Sequence, residues 1–390
     1  MRSFMSRHKI ITGIFGVFLL LFLVAFSYVR YTMYGPHRGY EVDYVLPAPG
    51  AWEAVGDLEV GVAVRDVSPL MELKDTWVDV DSNNEFDPKI DTWEDRNGNG
   101  DFDLVWIGGF GINRAAKGIN DPVWARAMAF RNNGVTVAVV SIDSVGITYE
   151  RYITIRKMIQ EKNPDIDHVV FAATHSHEAP DTMGIWSYWF LWGSRFDEGY
   201  IRMLQEKTCE AVLEAVQNLT PADAVITTAY VPKENFTRDS RDPQVVDNQL
   251  PLAWFKKKGT EETIGILTSW GMHPEAMGGD NPYVSSDFIH YFRQAMETGL
   301  TGTSRFEAFG GKCVYFSGPV GGLMTQLRVP ITDRHGVTYE KDSIEKAKAQ
   351  GENLAIIAAK ALRSADVKIM EDQRVAVSAQ TFYITMGWPF

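Results

Sequence analysis

Two hydrophobic periodicities alternate along most of this chain. Residues 135–143 and 168–174 are short apolar runs rich in β-branched residues, a pattern typical of strands buried on both faces. Residues 152–162 and 197–219 repeat apolar positions at the three- and four-residue spacing of an amphipathic helix. Further strands are predicted at 222–231, 263–271 and 312–318, and further helices at 287–298 and 343–362. This alternation predicts an α/β fold, with a layered mixed or largely parallel sheet flanked by helices.

The N-terminal pattern is different. Residues 10–29 form an uncharged apolar run of 20 residues, about the length that crosses a bilayer as a helix. Arg2, Arg7 and Lys9 precede it, so the positive-inside rule places the following domain on the extracytoplasmic side. We expect residues 1–30 to be a single transmembrane anchor, or a signal segment whose cleavage would secrete the protein. Residues 31–55 then form a tether, and residues 56–390 form the α/β domain.

Composition narrows the classes of function. The chain has 390 residues, of which 45% are hydrophobic and 23% charged, as in ordinary globular proteins. Its net charge of −12 argues against nucleic acid as a natural partner. Only two cysteines are present, Cys209 and Cys313, so a cysteine zinc site is excluded and one disulfide at most can form.

An acidic insert at residues 74–103 interrupts the alternation. It contains "DVDSNNEFD" and "DRNGNGDFD", two stretches with oxygen-bearing side chains at every second position. Calcium takes six to eight oxygen ligands, and such loops supply several from one turn. Neither copy has the closing glutamate of an EF-hand, so the alternative is a solvated acidic loop. We predict structural calcium binding through Asp79, Asp81, Asn83, Asp87, Asp95, Asn97, Asn99 and Asp101.

Three histidines follow predicted strands. His175 and His177 come after the strand at 168–174, and His273 follows the strand at 263–271. Asp143 and the glycine-rich turn at 315–322 leave two further strands, and all four strand ends would meet at one edge of a parallel sheet. An H-x-H pair on an extended backbone places both rings on one side. Neutral imidazoles bind zinc, so the pattern predicts a zinc site.

The residues around the H-x-H pair exclude two families that use this motif. Metallo-β-lactamases require H-x-H-x-D-H, which "HSHEAP" lacks, and the eightfold repeat of barrel amidohydrolases is absent. Instead "THSHEAP" resembles the T-H-T-H-S-G-P segment of the neutral/alkaline (non-lysosomal) ceramidases. "SWGMHPEAM" with "VSSD", and "GVAVRDVSP" at residues 61–69, are similar to further motifs of the N-terminal catalytic domain of that family.

This resemblance implies a zinc-dependent amidase that cleaves the N-acyl bond of a ceramide-like lipid. It maps zinc binding to His175 and His273 and an assisting role to His177. The family's nucleophilic serine turn corresponds to "GGLMTQ", where Thr325 is the nearest hydroxyl. The family's glutamate and tyrosine zinc ligands would lie beyond Phe390, so we expect the chain to be truncated. Asp287 and His290 could otherwise complete the site.

An aromatic segment, "IWSYWFLW" at residues 185–192, follows the H-x-H pair. It predicts substrate or membrane contact through Trp186, Trp189 and Trp192, with core packing as the alternative. Two other functions stay open. One is a metal-dependent hydrolase of another exported amide or ester. The other is a calcium-dependent surface binding protein with a vestigial site.

Overall fold

The computed structural model describes residues 9–33, 37, 39–48, 50, 56–100, 102–186, 197–365, 367–371 and 373–382. The chain divides into two compact units, one formed by Met1–Tyr44 with Ala379–Phe390 and the other by Val45–Ser378. Helix α1, Lys9–Met33, belongs to the first unit. Among the described residues no helix is both long enough and apolar enough to cross a membrane. The transmembrane segment predicted for residues 10–29 is therefore not supported.

The other helices in the described residues are α2 Tyr149–Lys162, α3 Glu198–Gln217, α4 Phe288–Thr298 and α5 Ile344–Leu362. The strands are β1 Asp43–Leu46, β2 Glu59–Asp66, β3 Thr76–Val78, β4 Thr92–Glu94, β5 Gly118–Ile119, β6 Trp124–Asn132, β7 Val135–Ile142, β8 His168–Ala173, β9 Thr220–Tyr230, β10 Arg238–Asp239, β11 Gln249–Lys257, β12 Thr263–Trp270, β13 Tyr283–Val284, β14 Lys312–Ser317, β15 Met324–Thr325, β16 Ile331–Thr332, β17 Thr338–Tyr339, β18 Lys368–Ile369 and β19 Val377–Gln380. The predicted helices and buried strands of the α/β domain are confirmed to within three residues.

The central sheet has nine strands, eight in the order β14-β12-β11-β9-β2-β6-β7-β8, with β18 beside β9. It is mixed, as predicted, but the expectation of a largely parallel sheet is wrong. Of its described pairings only β7 with β8 and β12 with β14 are parallel. Two strands that the sequence analysis missed, β6 and β11, pair antiparallel with the next strand in the chain. Asn133 and Gly134, with φ of 50° and 72°, form the tight turn that joins β6 to β7.

The sheet folds over on itself at β9. Thr220 and Pro221, the first two residues of β9, pair with β2, while Ala222–Tyr230 pair with β11. Three apolar cores result. One lies between the two halves of the sheet, and one lies between each outer face of the sheet and the pair of helices that covers it. Helices α2 and α3 cover one outer face, and α4 and α5 cover the other. The result is four layers, α/β/β/α.

Folding over brings together the four strand ends identified in the sequence. The Ser141 hydroxyl on β7 donates to the Tyr315 carbonyl on β14. The Ser317 hydroxyl at the end of β14 donates to the carbonyl of Thr174, just after β8. The prediction that these ends converge is confirmed. They converge because the folded sheet brings the parallel pair β12 and β14 against the parallel pair β7 and β8, and not because all four strands are neighbours in one parallel sheet.

A cavity of about 890 Å³ lies between the halves of the sheet. Its lining is mostly apolar and includes Val139, Leu267 and Phe316 but none of the three histidines. Both cysteines are buried and free, so no disulfide joins them.

The acidic insert has an apolar core of its own, which the sequence analysis did not expect. Strands β3 and β4 form a hairpin. Trp77, Phe86, Phe102 and Trp106 pack beneath it, with the Trp77 and Phe86 ring centroids 5.7 Å apart and the Phe86 and Phe102 centroids 5.0 Å apart. Aromatic packing therefore provides a reason for this segment to fold without calcium.

Candidate metal centre

Three histidines converge at the folded edge of the sheet. His175, His177 and His273 each place a ring nitrogen within 4.8 Å of those of the other two. Their ring centroids are 4.9 to 5.6 Å apart. The structure thus joins two motifs almost 100 residues apart in the sequence.

The backbone brings the H-x-H pair inward through a turn. His175 follows β8 with a φ of 63°, a left-handed conformation that is uncommon outside glycine. The expectation that an extended backbone aligns the two rings is therefore wrong. The N–H of His177 then donates to the carbonyl of Pro274 at 2.9 Å, which fastens the first motif to the second.

Backbone carbonyls orient two of the rings. Nδ1 of His175 donates to the carbonyl of Val145 at 2.6 Å, and Nδ1 of His273 donates to that of Met324 at 3.0 Å. A carbonyl can only accept, so in each ring Nδ1 carries the proton and Nε2 has a free lone pair. This arrangement fixes the tautomer that binds a metal through Nε2.

The environment keeps all three rings neutral. Burial lowers the pKa of His175, His177 and His273 below the ordinary histidine value. The pKa of His177 falls to about 3, because its burial is reinforced by the neighbouring imidazoles and by Arg114. Three neutral imidazoles are a donor set that suits zinc, so the residues present fit the metal predicted from the sequence.

Glu275 is a site residue that sequence reasoning missed. Its Oε2 lies 3.3 Å from Nδ1 of His177. Burial raises the pKa of Glu275 above the ordinary glutamate value. Its position two residues after His273 was the available signal. Thr325, predicted as a nucleophile, follows Met324, whose carbonyl accepts from the backbone N–H and from Nδ1 of His273, so it lies next to the histidines.

Arg238 is a second missed residue. It pairs with Thr325 across β10 and β15, and its Nε donates to the carbonyl of Leu327 at 2.9 Å. Its charge acts on the Glu275 carboxylate. A half-buried cation thus lies on the strand pair that carries Thr325.

Gly109 allows a loop to approach His177 closely. It has a φ of 108°, and a Cβ there would lie 2.5 Å from Cα and Cγ of His177. The next residue, Phe110, packs edge-on against the His177 ring with centroids 4.9 Å apart.

The other polar residues considered in the sequence lie apart from this group. Asp143 is fully buried and accepts from Arg293 at 2.7 Å and from Ser286 at 2.8 Å. Asp287 caps α4, and His290 lies 3.5 Å from Asp121. Neither Asp287 nor His290 belongs to the metal-ligand group found among the described residues, so the alternative that they complete it is not supported.

The first acidic stretch gathers three carboxylates, from Asp79, Asp81 and Asp91. Asp91 was not among the predicted ligands. Asn83 instead donates to Asp81 at 3.1 Å, and Asp87 accepts from the N–H of Lys89. Lys117 donates to Asp79 at 2.8 Å and neutralises part of the charge.

The second acidic stretch binds its own backbone. The Asp95 carboxylate accepts from the N–H groups of Asn99 and Gly100, and the Asn97 side chain donates to Asp103. Within the described part of this stretch no group of three carboxylates forms. The predicted ligand Asp101 lies outside the described residues.

Trp186 contacts the loop that packs against His177. Its indole N–H donates to the carbonyl of Phe110 at 3.0 Å, and Phe110 contacts His177. Ile185 next to it is 54% exposed. Trp189 and Trp192 lie outside the described residues.

Comparison with known families decides the relationship. The family model described as neutral/alkaline non-lysosomal ceramidase, N-terminal, matches residues 102–386. The chain belongs to this ceramidase family. The match includes all three histidines, Glu275 and Thr325, and confirms the resemblance seen in the sequence.

Solved structures show the same fold. "Crystal Structure Analysis of neutral ceramidase from Pseudomonas aeruginosa" aligns with a TM-score of 0.59 at 16% identity, covering 80% of this chain and 45% of that chain. "Ceramidase complexed with C2" aligns with a TM-score of 0.57 at 15% identity, covering 78% and 43%. The chain therefore spans less than half the length of these ceramidase structures.

Proposed function

We propose that this chain carries the metal centre of a zinc-dependent hydrolase that cleaves the amide bond of a ceramide-like N-acylated lipid. Family membership supports the reaction class. The observation that carries the proposal is the convergence of three half-buried imidazoles with lowered pKa values, two with the proton fixed on Nδ1. Nothing in an ordinary protein core requires three histidine lone pairs to face one another.

His175, His273 and His177 would hold the zinc ion. Zinc bound there would supply a Lewis acid that polarises the substrate carbonyl. The resemblance implied an assisting role for His177, but its place in the group of three histidines supports a ligand role.

In this proposal Glu275 is the general base. Glu275 and Thr325 both adjoin the histidines, so the carboxylate would take the hydroxyl proton as Thr325 attacks the amide carbon and would pass it to the departing amine. Water would then hydrolyse the acyl ester on Thr325. Its raised pKa brings the carboxylate closer to the range in which a general base works near neutral pH. Arg238, across the strand pair from Thr325, would offset the negative charge that develops.

Substrate and calcium contacts complete the proposal. Trp186 and the exposed Ile185 would contact the lipid near the histidines. Asp79, Asp81 and Asp91 would hold calcium in the first acidic stretch, where oxygen ligands are grouped.

The test is hydrolysis of a fluorescent N-acylsphingosine by purified protein, chelated and then restored with zinc. Restored protein should bind one zinc and release free fatty acid and amine, and His273→Ala should abolish both. His335→Ala changes an exposed histidine and is the matched control. It should retain both zinc binding and hydrolysis. A His273→Ala variant with the wild-type rate would contradict the proposal. Hydrolysis confined to cell-wall amides or esters would keep the metal centre and replace the substrate.

A further inference from the structure

An ion pair is completely buried beneath the three histidines. The Arg114 side chain is 2% exposed and that of Glu178 is 0% exposed, and Nη2 of Arg114 lies 2.6 Å from Oε2 of Glu178. Removing two charges from water costs several kcal/mol per ion in real proteins, and a well-packed apolar pair is often as stable. Stability alone therefore does not account for this pair.

Arg114 distributes its hydrogen bonds over three loops. Nη1 donates to the carbonyl of His177 at 2.9 Å and to that of Gly108 at 3.3 Å. Nη2 donates to the carbonyl of Asn281 at 3.0 Å, and the Asn281 side chain donates back to Glu178 at 2.8 Å. One planar guanidinium thus fixes the relative positions of loops that have no common sheet.

His177 needs such support more than the other histidines do. The rings of His175 and His273 are oriented through hydrogen bonds from Nδ1. Nδ1 of His177 is buried, and although Oε2 of Glu275 lies 3.3 Å from it, this nitrogen makes no hydrogen bond within the described part of the chain. The orientation of this ring therefore depends on its backbone and on packing against Phe110.

Arg114 acts on both of those determinants. It bonds the His177 carbonyl directly, and its guanidinium carbon lies 5.1 Å from the centroid of the Phe110 ring. The N–H of His177 is already bonded to Pro274, so Arg114 completes the anchoring of this residue on both sides.

We propose that Arg114, held in place by Glu178, is a positioning residue that sets the His177 ring in the metal centre. The proposal rests on the metal-binding function proposed above. Arg114 bonds to the backbone of His177 and acts through that residue.

The experiment compares four variants loaded with Co²⁺, whose visible absorption reports the ligand geometry. Arg114→Met removes the hydrogen bonds to His177 and Glu178. Arg114→Lys keeps the charge but cannot donate to both residues in the planar geometry of a guanidinium. The double variant Arg114→Met/Glu178→Met removes the unpaired buried charge and should recover much of the stability. Arg126→Met is the matched control, because Arg126 is also buried and paired, with Glu297, away from the histidines.

We expect both single Arg114 variants and the double variant to change the Co²⁺ spectrum and to weaken Co²⁺ binding roughly 10- to 100-fold, as removal of a partner that orients a metal ligand does. Arg126→Met should lower the melting temperature and leave the spectrum unchanged. A double variant with recovered stability and a wild-type spectrum would overturn the proposal.

A metal-free readout separates this proposal from the metal-binding function. The imidazole resonances of His177 in the apo protein should shift in Arg114→Met, while those of the exposed His335 stay in place. If wild-type protein binds no Co²⁺ but the His177 shift occurs, positioning stands and the metal function fails. Unshifted His177 resonances refute positioning whether or not metal binds.

Discussion

Replacing Gly109 with alanine tests whether the loop against His177 sets the metal centre. The new Cβ would lie 2.5 Å from Cα and Cγ of His177, while ordinary contacts begin at 3.4 Å. The loop or His177 must therefore move by about 1 Å, well beyond the roughly 0.2 Å tolerance of metal–ligand distances. The φ of 108° adds about 1–3 kcal/mol of backbone strain for any residue with a Cβ.

The matched control is Gly134→Ala in the β6–β7 turn. Gly134 has a φ of 72°, but a Cβ there meets nothing within 4 Å. It therefore imposes backbone strain without a collision. Misplacement of a site group by about 1 Å costs on the order of 10²-fold in rate.

The assays are urea unfolding and hydrolysis of the fluorescent lipid at saturating zinc. Both variants should lose stability, but only Gly109→Ala should lose about two orders of magnitude in activity together with zinc affinity. Equal activity of the two variants would refute the argument that close packing of this loop holds His177.

Three further outcomes are expected. Asp81→Asn should remove the rise in melting temperature caused by calcium, a stabilisation of about 2.7 kcal/mol at a calcium concentration 100-fold above Kd. Asp95→Asn should retain that rise, because Asp95 accepts backbone N–H groups instead. Equal responses of the two variants in thermal scans would refute the assignment. Burial and the nearby Arg156 lower the pKa of His168, so the stability gained by keeping its imidazole neutral is present above pH of about 6.5 and is lost as pH falls. Urea midpoints measured from pH 8 to 5 should therefore fall less in His168→Gln than in the wild type. Parallel curves for the two proteins would count against a role of His168 in the pH dependence. Ser343→Ala removes the side chain that accepts from the N–H of Lys346 and caps α5, and should cost about 1 kcal/mol in urea unfolding; an unchanged midpoint would show that the cap contributes nothing.

Local periodicity located the helices and the strands buried on both faces, because such segments have a strong apolar signal. It missed β6 and β11. In β6 the small residues Ala125, Ala127 and Ala129 form the buried outer face, and they do not read as an apolar run. Missing these two strands left a parallel sheet as the natural prediction.

The candidate site was predictable in part. His175, His177 and His273 were identified, because histidines after buried strands are rare and occur at a sheet edge where ligands bind. Glu275 and Arg238 were not, since a single acid or base in a loop carries no signal until its neighbours are known. Of the eight predicted calcium ligands, only Asp79 and Asp81 belong to the carboxylate group found among the described residues, and Asp91 enters it from beyond the repeated pattern.

The sequence by itself determined which residue types were available to the chemistry and which segments had to be buried. Both follow from local patterns of apolarity and from side-chain pKa values. Only the tertiary structure decided that the sheet folds over at β9 and brings β14 against β7 and β8. That contact depends on pairing between strands far apart in the chain. The same long-range packing places Arg114 under His177 and buries its charge against Glu178, which no local pattern in the sequence specifies.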